Sequence, residues 1–178
     1  MPRQGFRGDA MDELVPIDAV AQDAVERLLD RAFGPGRHAR TAYRLREGTA
    51  ALPALSFACV DGDTLLGTIQ CWPVQFAGDD GRLVPLVMVG PVAVEPARQQ
   101  GGLGRRLTAA ALAAADARGW SQMLIGDPEY YGRFFGFSAQ PTALWRINGP
   151  VERHRLLARG ADVPTGAGAI EPRVVATA

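Results

Sequence analysis

Lysine is missing from this 178-residue sequence, so its 19 basic residues are all arginines, and they balance 19 aspartates and glutamates. Because the formal net charge is zero, the chain lacks the basic excess with which proteins neutralise nucleic-acid phosphates. It also lacks a run of acidic residues that would form a tail. We therefore expect no nucleic-acid partner.

Cysteine and histidine are scarce, with two of each in the chain. Cys59, Cys71, His38 and His154 are scattered and do not show the short spacings of metal ligands, so we predict no metal site. The two cysteines fall on the strands of one predicted hairpin, at positions that do not face each other. A disulfide is therefore not expected, and both thiols are predicted to be buried apolar groups.

The chain has no apolar run long enough to span a bilayer, and its first residues lack the apolar core of a signal peptide. We therefore expect a cytoplasmic protein with no membrane partner. Hydrophobic residues make up 47% of the chain and its mean hydropathy is −0.02, which is typical of a globular domain. We predict one domain over 1–178, with a core at about 12–147 and an irregular extension over 148–178.

Hydrophobic periodicity and turn residues predict a mixed α/β domain of the α+β type. Its sheet should be mostly antiparallel, with one parallel step through a crossover helix at 103–118. Further helices are predicted over 18–32, 41–47 and 128–135, and a helical turn over 154–159. Strands are predicted over 53–60, 64–76, 83–94, 122–126, 142–147 and 169–174. Gly90-Pro91 interrupts the apolar 83–94 strand, which predicts a bulge or a splay midway along it.

Between that strand and the crossover helix lies a glycine-rich turn, Gly101-Gly102-Leu103-Gly104. The first turn of a helix has free N–H groups and a partial positive charge, so an anion binds there readily. Glycines let the backbone approach the anion closely, and Arg98, Arg105 and Arg106 add charge at the rim. The turn therefore suits a phosphate or a pyrophosphate.

Two common nucleotide motifs do not fit this turn. A Walker loop ends in Gly-Lys-Ser/Thr, and the chain has no lysine. A Rossmann fingerprint needs a third glycine at position 107, which is Leu107, and it belongs to a first βαβ unit and not after several hairpin strands.

Two motifs in this region identify a resemblance. Gln99-x-x-Gly102-x-Gly104 resembles the Arg/Gln-x-x-Gly-x-Gly/Ala motif of the GNAT superfamily of N-acetyltransferases. The stretch 126–137, Gly-Asp-Pro-Glu-Tyr-Tyr-Gly-Arg-Phe-Phe-Gly-Phe, is similar to the last motif of that superfamily, in the form of a bacterial YhbS-like branch. The order and spacing of the motifs match, and the predicted elements match those of the superfamily from about residue 12 to 147.

The resemblance implies a fold and a donor site. The fold would be that of a GNAT acyl-CoA N-acyltransferase, with a central sheet that splays mid-strand to admit the acyl thioester of acetyl-CoA. The backbone of the splayed strand would pair with the pantetheine arm, and the amides of the glycine turn would hold the pyrophosphate. The implied cofactor-binding residues are Val92, Ala93, Val94, Gln99, Gln100, Gly101, Gly102, Leu103, Gly104 and Arg105.

Acyl transfer from a thioester also needs a proton donor for the leaving thiolate. Tyr130 and Tyr131 open the predicted 128–135 helix, close to the acid tyrosine of the superfamily. That tyrosine usually lies four residues before the glycine of Gly-Phe, whereas Tyr131 lies five and Tyr130 six residues before Gly136. We predict Tyr131 as the catalytic acid and keep Tyr130 as the alternative.

The sequence does not identify a general base or an acceptor. Glu95, Asp127 and Glu129 are the candidate bases, with Asp127 predicted mainly as a helix cap. The region 33–46 borders the acceptor site in the superfamily, so that Arg40, Tyr43 or Arg44 could meet an acidic acceptor or the acyl chain. The alternative for these arginines is a solvated basic helix face.

The resemblance therefore predicts an N-acetyltransferase that moves an acetyl group from acetyl-CoA to a primary amine on a small molecule or a peptide. A non-catalytic acyl-CoA-binding regulatory module of the same fold is the second hypothesis, and a dinucleotide-dependent enzyme is the third. The sequence leaves open whether a longer acyl group is carried and whether a homodimer forms.

Overall fold

Eight strands form one open sheet in the computed structural model, which describes residues 12–175. The strands are β1 (Glu13–Pro16), β2 (Phe57–Asp61), β3 (Thr64–Gly78), β4 (Leu83–Val94), β5 (Gln122–Ile125), β6 (Trp145–Ile147), β7 (Leu156–Arg159) and β8 (Gly168–Pro172). Their spatial order is β1-β2-β3-β4-β5-β7, with β8 beside β3 and β6 beside β8. The pairs β4–β5 and β6–β8 are parallel and the others are antiparallel. The predicted mixed, mostly antiparallel sheet is confirmed.

Four α-helices cover the two faces of this sheet. They are α1 (Gln22–Phe33), α2 (Thr41–Arg44), α3 (Leu103–Ala117) and α4 (Pro128–Phe135). The helix α3 is the predicted crossover between the parallel strands β4 and β5. On one face, α3 and α4 pack over apolar residues such as Ile69, Val87 and Leu124. On the opposite face, α1 covers Ala93, and residues near α2 cover a second cluster around Trp145.

The first two helices differ from their predicted bounds. Asp18, the predicted N-cap, lies in a 3₁₀ turn, and the extended residue Ala21 caps α1. The reason is that the Ile17 N–H donates to the Ser56 carbonyl at 3.1 Å, which holds the chain against the sheet before the helix begins. After α2, the Thr49 hydroxyl donates to the carbonyl of residue 46 at 2.8 Å and closes a turn where the helix was predicted to continue.

Several predicted strand features are confirmed. The hairpin β2–β3 turns at Gly62, and Cys59 pairs with Gly67 across it, so Cys59 and Cys71 are free, buried thiols.

Two predicted strands are shorter than expected. The 53–60 strand begins only at Phe57, because 53–55 forms a 3₁₀ turn. In the 142–147 strand, only the last three residues pair.

The C-terminal part was predicted incorrectly in two places. Of residues 154–159, which were predicted as a helical turn, only the first two lie in a 3₁₀ turn (Arg153–Arg155), and the last four are β7, antiparallel to β5. The 148–175 stretch is also not an irregular extension, because β7 and β8 are both hydrogen-bonded into the sheet. The physical reason is that β5 and β3 each present an edge that needs a partner, and the apolar residues Leu156, Leu157 and Ile170 become buried when they pair there.

Substitution of Gly168 by alanine tests how firmly the last strand belongs to the core. A Cβ at this position would overlap the Phe76 ring and lie 2.7 Å from the Ala77 carbonyl oxygen, a backbone atom held in register with Ala169. We expect the free energy of unfolding to fall by about 2–3 kcal/mol from this overpacking. Urea denaturation of the variant measures the loss. Gly36→Ala is the control because a Cβ there meets no atom within 4 Å; equal stability of both variants would contradict the packing of β8.

Candidate active site

The parallel strands β4 and β5 separate soon after they pair. Only Val87 and Met88 have partners on β5. Beyond them Gly90 takes a φ of 118°, a conformation that favours glycine, and Pro91 has no N–H to donate. Within residues 12–175 no strand pairs with this edge of β4 after Met88. The splay predicted at Gly90-Pro91 is therefore present.

A cavity of about 870 Å³ opens between the separated strands; we call it the splay cavity. Residues Met88 to Val92 of β4 and Leu124 to Asp127 at the end of β5 line its middle. The segment from Phe33 to Arg46 lines one side, and Tyr131 and the stretch from Pro150 to Arg155 line the rest. The cavity volume is typical of small-molecule sites.

The glycine turn starts α3 as predicted. Gly102 is the N-cap, with a left-handed φ of 74°, and its carbonyl accepts the first helical hydrogen bond from the Arg106 N–H at 3.1 Å. The amides of Leu103, Gly104 and Arg105 precede that bond, so they have no partner within the helix. Their free N–H groups and the helix dipole make this turn suitable for an anion, so the predicted donor site stays a prediction.

The turn and the splay cavity are contiguous. A Cβ at Gly104 would lie 3.6 Å from Val94 Cγ2 and 3.8 Å from Val92 Cγ1, so the start of α3 packs directly on the end of β4. Val92 also lines the splay cavity. Val92, Ala93 and Val94 pair with β3 along one edge only, and their other edge faces the gap left by β5. An extended chain with amide groups followed by phosphates would fit this open edge and the adjoining free amides.

The other predicted donor residues and the rim arginines surround the turn. Gln99 and Gln100 are exposed and follow a short 3₁₀ turn that ends at Arg98. Arg98 lies 3.8 Å from Asp61. The guanidinium of Arg105 stacks over the Phe134 ring, with its Cζ 3.8 Å from the ring centroid, and this contact connects the turn to α4.

The two tyrosines of α4 have different environments. Tyr131 lines the splay cavity, whereas Tyr130 does not and packs against Phe134 and Phe135. The Tyr131 ring lies against the backbone of Gly126, where a Cβ would come within 2.6 Å of ring atom Cε2. Burial raises the pKa of the Tyr131 phenol to about 12, and the nearby Tyr130 adds to that rise. The Tyr131 hydroxyl is therefore protonated at neutral pH and can donate a proton.

Each of the three candidate bases either makes another contact or is exposed to solvent. Asp127 caps α4, because its carboxylate accepts the Glu129 N–H at 3.0 Å, although it also lines the splay cavity. Glu95 pairs with Arg31 at 2.9 Å, and Glu129 is exposed. In the described range 12–175, no group of three His, Cys, Asp or Glu side chains could share a metal ion.

The segment from Phe33 to Arg46, which lines one side of the splay cavity and which we call the acceptor-side wall, contains two arginines in contrasting environments. Arg37 is buried and donates to Glu26, Asp30 and the Tyr43 hydroxyl; although burial lowers its pKa, these hydrogen bonds raise it above the usual value. The Arg46 guanidinium lies 3.6 Å from the Tyr43 ring centroid and 4.3 Å from that of Trp72.

Sequence reasoning found part of this wall. Arg40 and Tyr43 line the splay cavity as the resemblance implied, but Arg44 does not. Arg46 and Arg155 were not predicted. The i,i+3 spacing of Tyr43 and Arg46 is a local signal for Arg46, whereas Arg155 lies in a short 3₁₀ turn before the unpredicted strand β7 and had no signal.

Comparisons with known proteins agree with this geometry. The sequence profile of the acetyltransferase (GNAT) family matches residues 22–137. The fold is similar to that of the GNAT family N-acetyltransferase YhbS from Escherichia coli in complex with CoA, with 25% identity and a TM-score of 0.68. This similarity covers 92% of this chain and 89% of the other. None of the curated proteins is similar enough in sequence to be matched.

Two further likenesses concern the fold. A GNAT family acetyltransferase from Brucella melitensis in complex with acetyl-CoA has 24% identity and a TM-score of 0.61, over 92% of this chain and 97% of the other. A GCN5-related N-acetyltransferase from Kribbella flavida has 24% identity and a TM-score of 0.54, over 72% of this chain and 33% of the other. None of the described helices is long and apolar enough to cross a membrane.

Proposed function

The chain belongs to the acetyltransferase (GNAT) family and is an acyltransferase, and from this premise we propose that it transfers an acetyl group from acetyl-CoA to a primary amine. The observation that carries the proposal is the continuity of the free amides of the glycine turn, the open edge of β4 and the splay cavity with Tyr131 on its wall. We further propose that residues 1–178 act as one domain, since the clusters on both sheet faces share the same strands.

The donor would bind along the open edge and the turn. The backbone of Val92 to Val94 would pair with the pantetheine arm, and the amides from Gln99 to Arg105 would hold the pyrophosphate. Support comes from the shape of this surface and from the YhbS structure, which contains CoA. When bound there, acetyl-CoA supplies the activated acetyl group.

Tyr131 would act as the general acid. Its hydroxyl is protonated because burial raises its pKa, and it borders the cavity in which the thioester would be held. It would donate its proton to the leaving thiolate, which otherwise departs as a poorly stabilised anion. Tyr130 is the weaker candidate because its ring packs among the phenylalanines of α4 instead of lining the splay cavity.

The amine would attack the thioester carbonyl directly. Among residues 12–175, the carboxylates that line the cavity are Asp127, which caps α4, and Glu152, which lies 3.3 Å from His154. We infer that the amine enters neutral or loses its proton to water. A direct attack needs only that the two substrates are held in line within one cavity.

The test is release of CoA thiol from acetyl-CoA with a panel of primary amines, measured beside acetyl-CoA binding by calorimetry. We expect both binding and amine-dependent release. Binding without release on any amine would overturn the transfer to amines and favour a non-catalytic acyl-CoA-binding module. No binding at all would overturn the proposed donor site.

Gly126→Ala tests the contact that positions Tyr131. The added Cβ would lie 2.6 Å from Cε2 of the Tyr131 ring and 3.0 Å from Leu124 Cδ1, so the ring must move. We expect kcat to fall about tenfold, because a shift of an ångström displaces a catalytic group from its working position. Acetyl-CoA affinity should change little, since the glycine turn is untouched. An unchanged kcat with normal folding would remove Gly126 from the positioning of Tyr131.

A further inference from the structure

The guanidinium of Arg46 packs against two aromatic rings, and one of its donor atoms has no acceptor among the described residues. Its Cζ atom lies 3.6 Å from the Tyr43 ring centroid and 4.3 Å from the Trp72 ring centroid. Its Nη1 atom is buried and has no hydrogen-bond partner among residues 12–175. A buried donor without a partner costs free energy, and the cost is greater when the group is charged.

The neighbouring ring has the same property. The indole Nε1 of Trp72 is also buried and has no hydrogen-bond partner in the described part of the chain. Trp72 does not line the splay cavity, whereas Arg46 does, so a ligand in the cavity would meet the cationic guanidinium and not the indole. Contacts with two aromatic rings restrict the motion of the guanidinium, and a planar fork of donors matches the two oxygens of a carboxylate.

The charges around Arg46 favour an anion as well. Arg37 is neutralised by Glu26 and Asp30, but no carboxylate of the described residues lies within 4 Å of Arg46 in an ion pair. Burial lowers the pKa of the Arg46 guanidinium and outweighs the opposing effects of Tyr43 and Glu26, yet arginine remains protonated in proteins.

The remaining charges of the splay cavity do not cancel this preference. Arg40 and Arg155 line the cavity with Arg46, and the carboxylates that line it are Asp127 and Glu152. Asp127 accepts an amide at the cap of α4, and Glu152 lies 3.3 Å from His154. The acceptor-side wall is therefore positive where Arg46 faces the cavity.

We propose that Arg46 is the specificity residue of the acceptor site and binds an anionic oxygen group, in the first place a carboxylate, of the amine that is acetylated. The inference rests on the proposed function, because an acceptor exists only if the chain transfers acetyl groups to amines. It names the class of acceptor as an amine that carries a carboxylate or phosphate and excludes simple alkylamines.

The experiment compares amines in matched pairs with and without the anion. The probes are alanine and alaninamide, β-alanine and 3-aminopropionamide, and O-phosphoethanolamine and ethanolamine. The third pair distinguishes a phosphate from a carboxylate. We expect kcat/KM of the wild-type protein to favour the anionic member, and the preference to fall about tenfold or more in Arg46→Gln through loss of a charged hydrogen bond. Differences in intrinsic amine reactivity cancel when the two proteins are compared on the same pair.

Two further variants separate charge from folding. Arg46→Lys keeps the charge without the planar fork and should retain part of the preference. Arg27→Gln, an exposed residue of α1 outside the splay cavity, should retain all of it. KM for acetyl-CoA should be unchanged in every variant, since the donor residues are elsewhere.

The outcomes for the two proposals differ. Acetylation of the neutral amines at equal or higher kcat/KM, or an unchanged preference in Arg46→Gln, would overturn the inference and leave the transfer to amines intact. If no amine is acetylated, the proposed function fails. Calorimetry with β-alanine on the CoA-saturated protein then tests the anion site at Arg46 by itself. If β-alanine binds and Arg46→Gln abolishes the binding, the anion site is retained. If β-alanine does not bind, the anion site is overturned.

Discussion

Replacing Tyr131 with phenylalanine is expected to lower kcat about a hundredfold to a thousandfold, the range that a positioned general acid contributes. The substitution removes one oxygen from a ring that packs against Gly126 and Phe137, so the apolar contacts of the ring remain. KM for acetyl-CoA should stay within about twofold, because Tyr131 is apart from the glycine turn. Steady-state kinetics with thiol detection and calorimetric binding of acetyl-CoA measure the two effects separately.

Tyr130→Phe is the matched control. It removes the same atom from the neighbouring residue, whose ring packs on Phe134 and Phe135 and does not line the splay cavity. We expect at least half of the wild-type kcat. If Tyr130→Phe lost the activity and Tyr131→Phe kept it, the acid would be Tyr130, and full activity in both would end the assignment of a tyrosine acid.

The pH profile gives an independent check on Tyr131. A phenol is active as an acid only while protonated, and a raised pKa extends the protonated range upward in pH. Burial raises the pKa of Tyr131 to about 12, so its deprotonation should cause no loss of kcat between pH 7 and 10. An alkaline decline with a midpoint below pH 10 that disappears in Tyr131→Phe would contradict the buried environment of this hydroxyl.

Replacing Gly102 with aspartate is expected to weaken acetyl-CoA binding by roughly thirtyfold to a hundredfold. Two like charges about 4 Å apart repel by roughly 4 kcal/mol at an effective dielectric constant of about 20, and screening at an exposed turn reduces that figure. The new carboxylate would lie beside the free amides of Leu103 to Arg105, where the proposal puts the pyrophosphate. Calorimetric titration with acetyl-CoA at two salt concentrations measures the loss, which should shrink at the higher one.

Gly102→Asn controls for size and backbone strain. Asparagine has nearly the same shape as aspartate, and both tolerate the left-handed φ of 74° at this position better than other side chains. A Cβ at Gly102 meets no atom within 4 Å, so neither variant should overpack the fold. We expect Gly102→Asn to lose at most a few-fold in affinity. Equal losses in the two variants would mean that no anion binds close to this turn.

Much of the fold was predictable because the local sequence signals agree with the secondary structure that the packed domain requires. The helix α3 has an apolar stripe, and α4 has the predicted Asp127 cap with proline at its first position. The β2–β3 and β3–β4 hairpins turn at glycines with positive φ, Gly62 and Gly81. Each of these signals lies within a few residues of the element it defines, so sequence reasoning could use it.

Other elements depend on partners that are distant in sequence. The strand β7 forms because β5 has an outer edge that needs a partner. The strand β8 was predicted near 169–174, but its pairing with the end of β3, beyond β2, was not. Short segments such as Leu156–Arg159 have no periodicity that distinguishes a strand from a turn. The start of α1 was wrong for the same reason, since a hydrogen bond to Ser56 decides where the helix begins.

The sequence by itself determined that a broken strand leads into glycines at a helix start, a local pattern that suits an anion, and the family resemblance predicted acetyl-CoA as the donor. Only the tertiary structure decided the acceptor side. Arg46 lines the splay cavity, its Nη1 atom is buried without a partner among residues 12–175, and its guanidinium contacts Tyr43 of α2 and Trp72 of β3. Such an environment is built from segments far apart in the chain, and burial and hydrogen-bond satisfaction are properties of the folded arrangement, which no local pattern encodes.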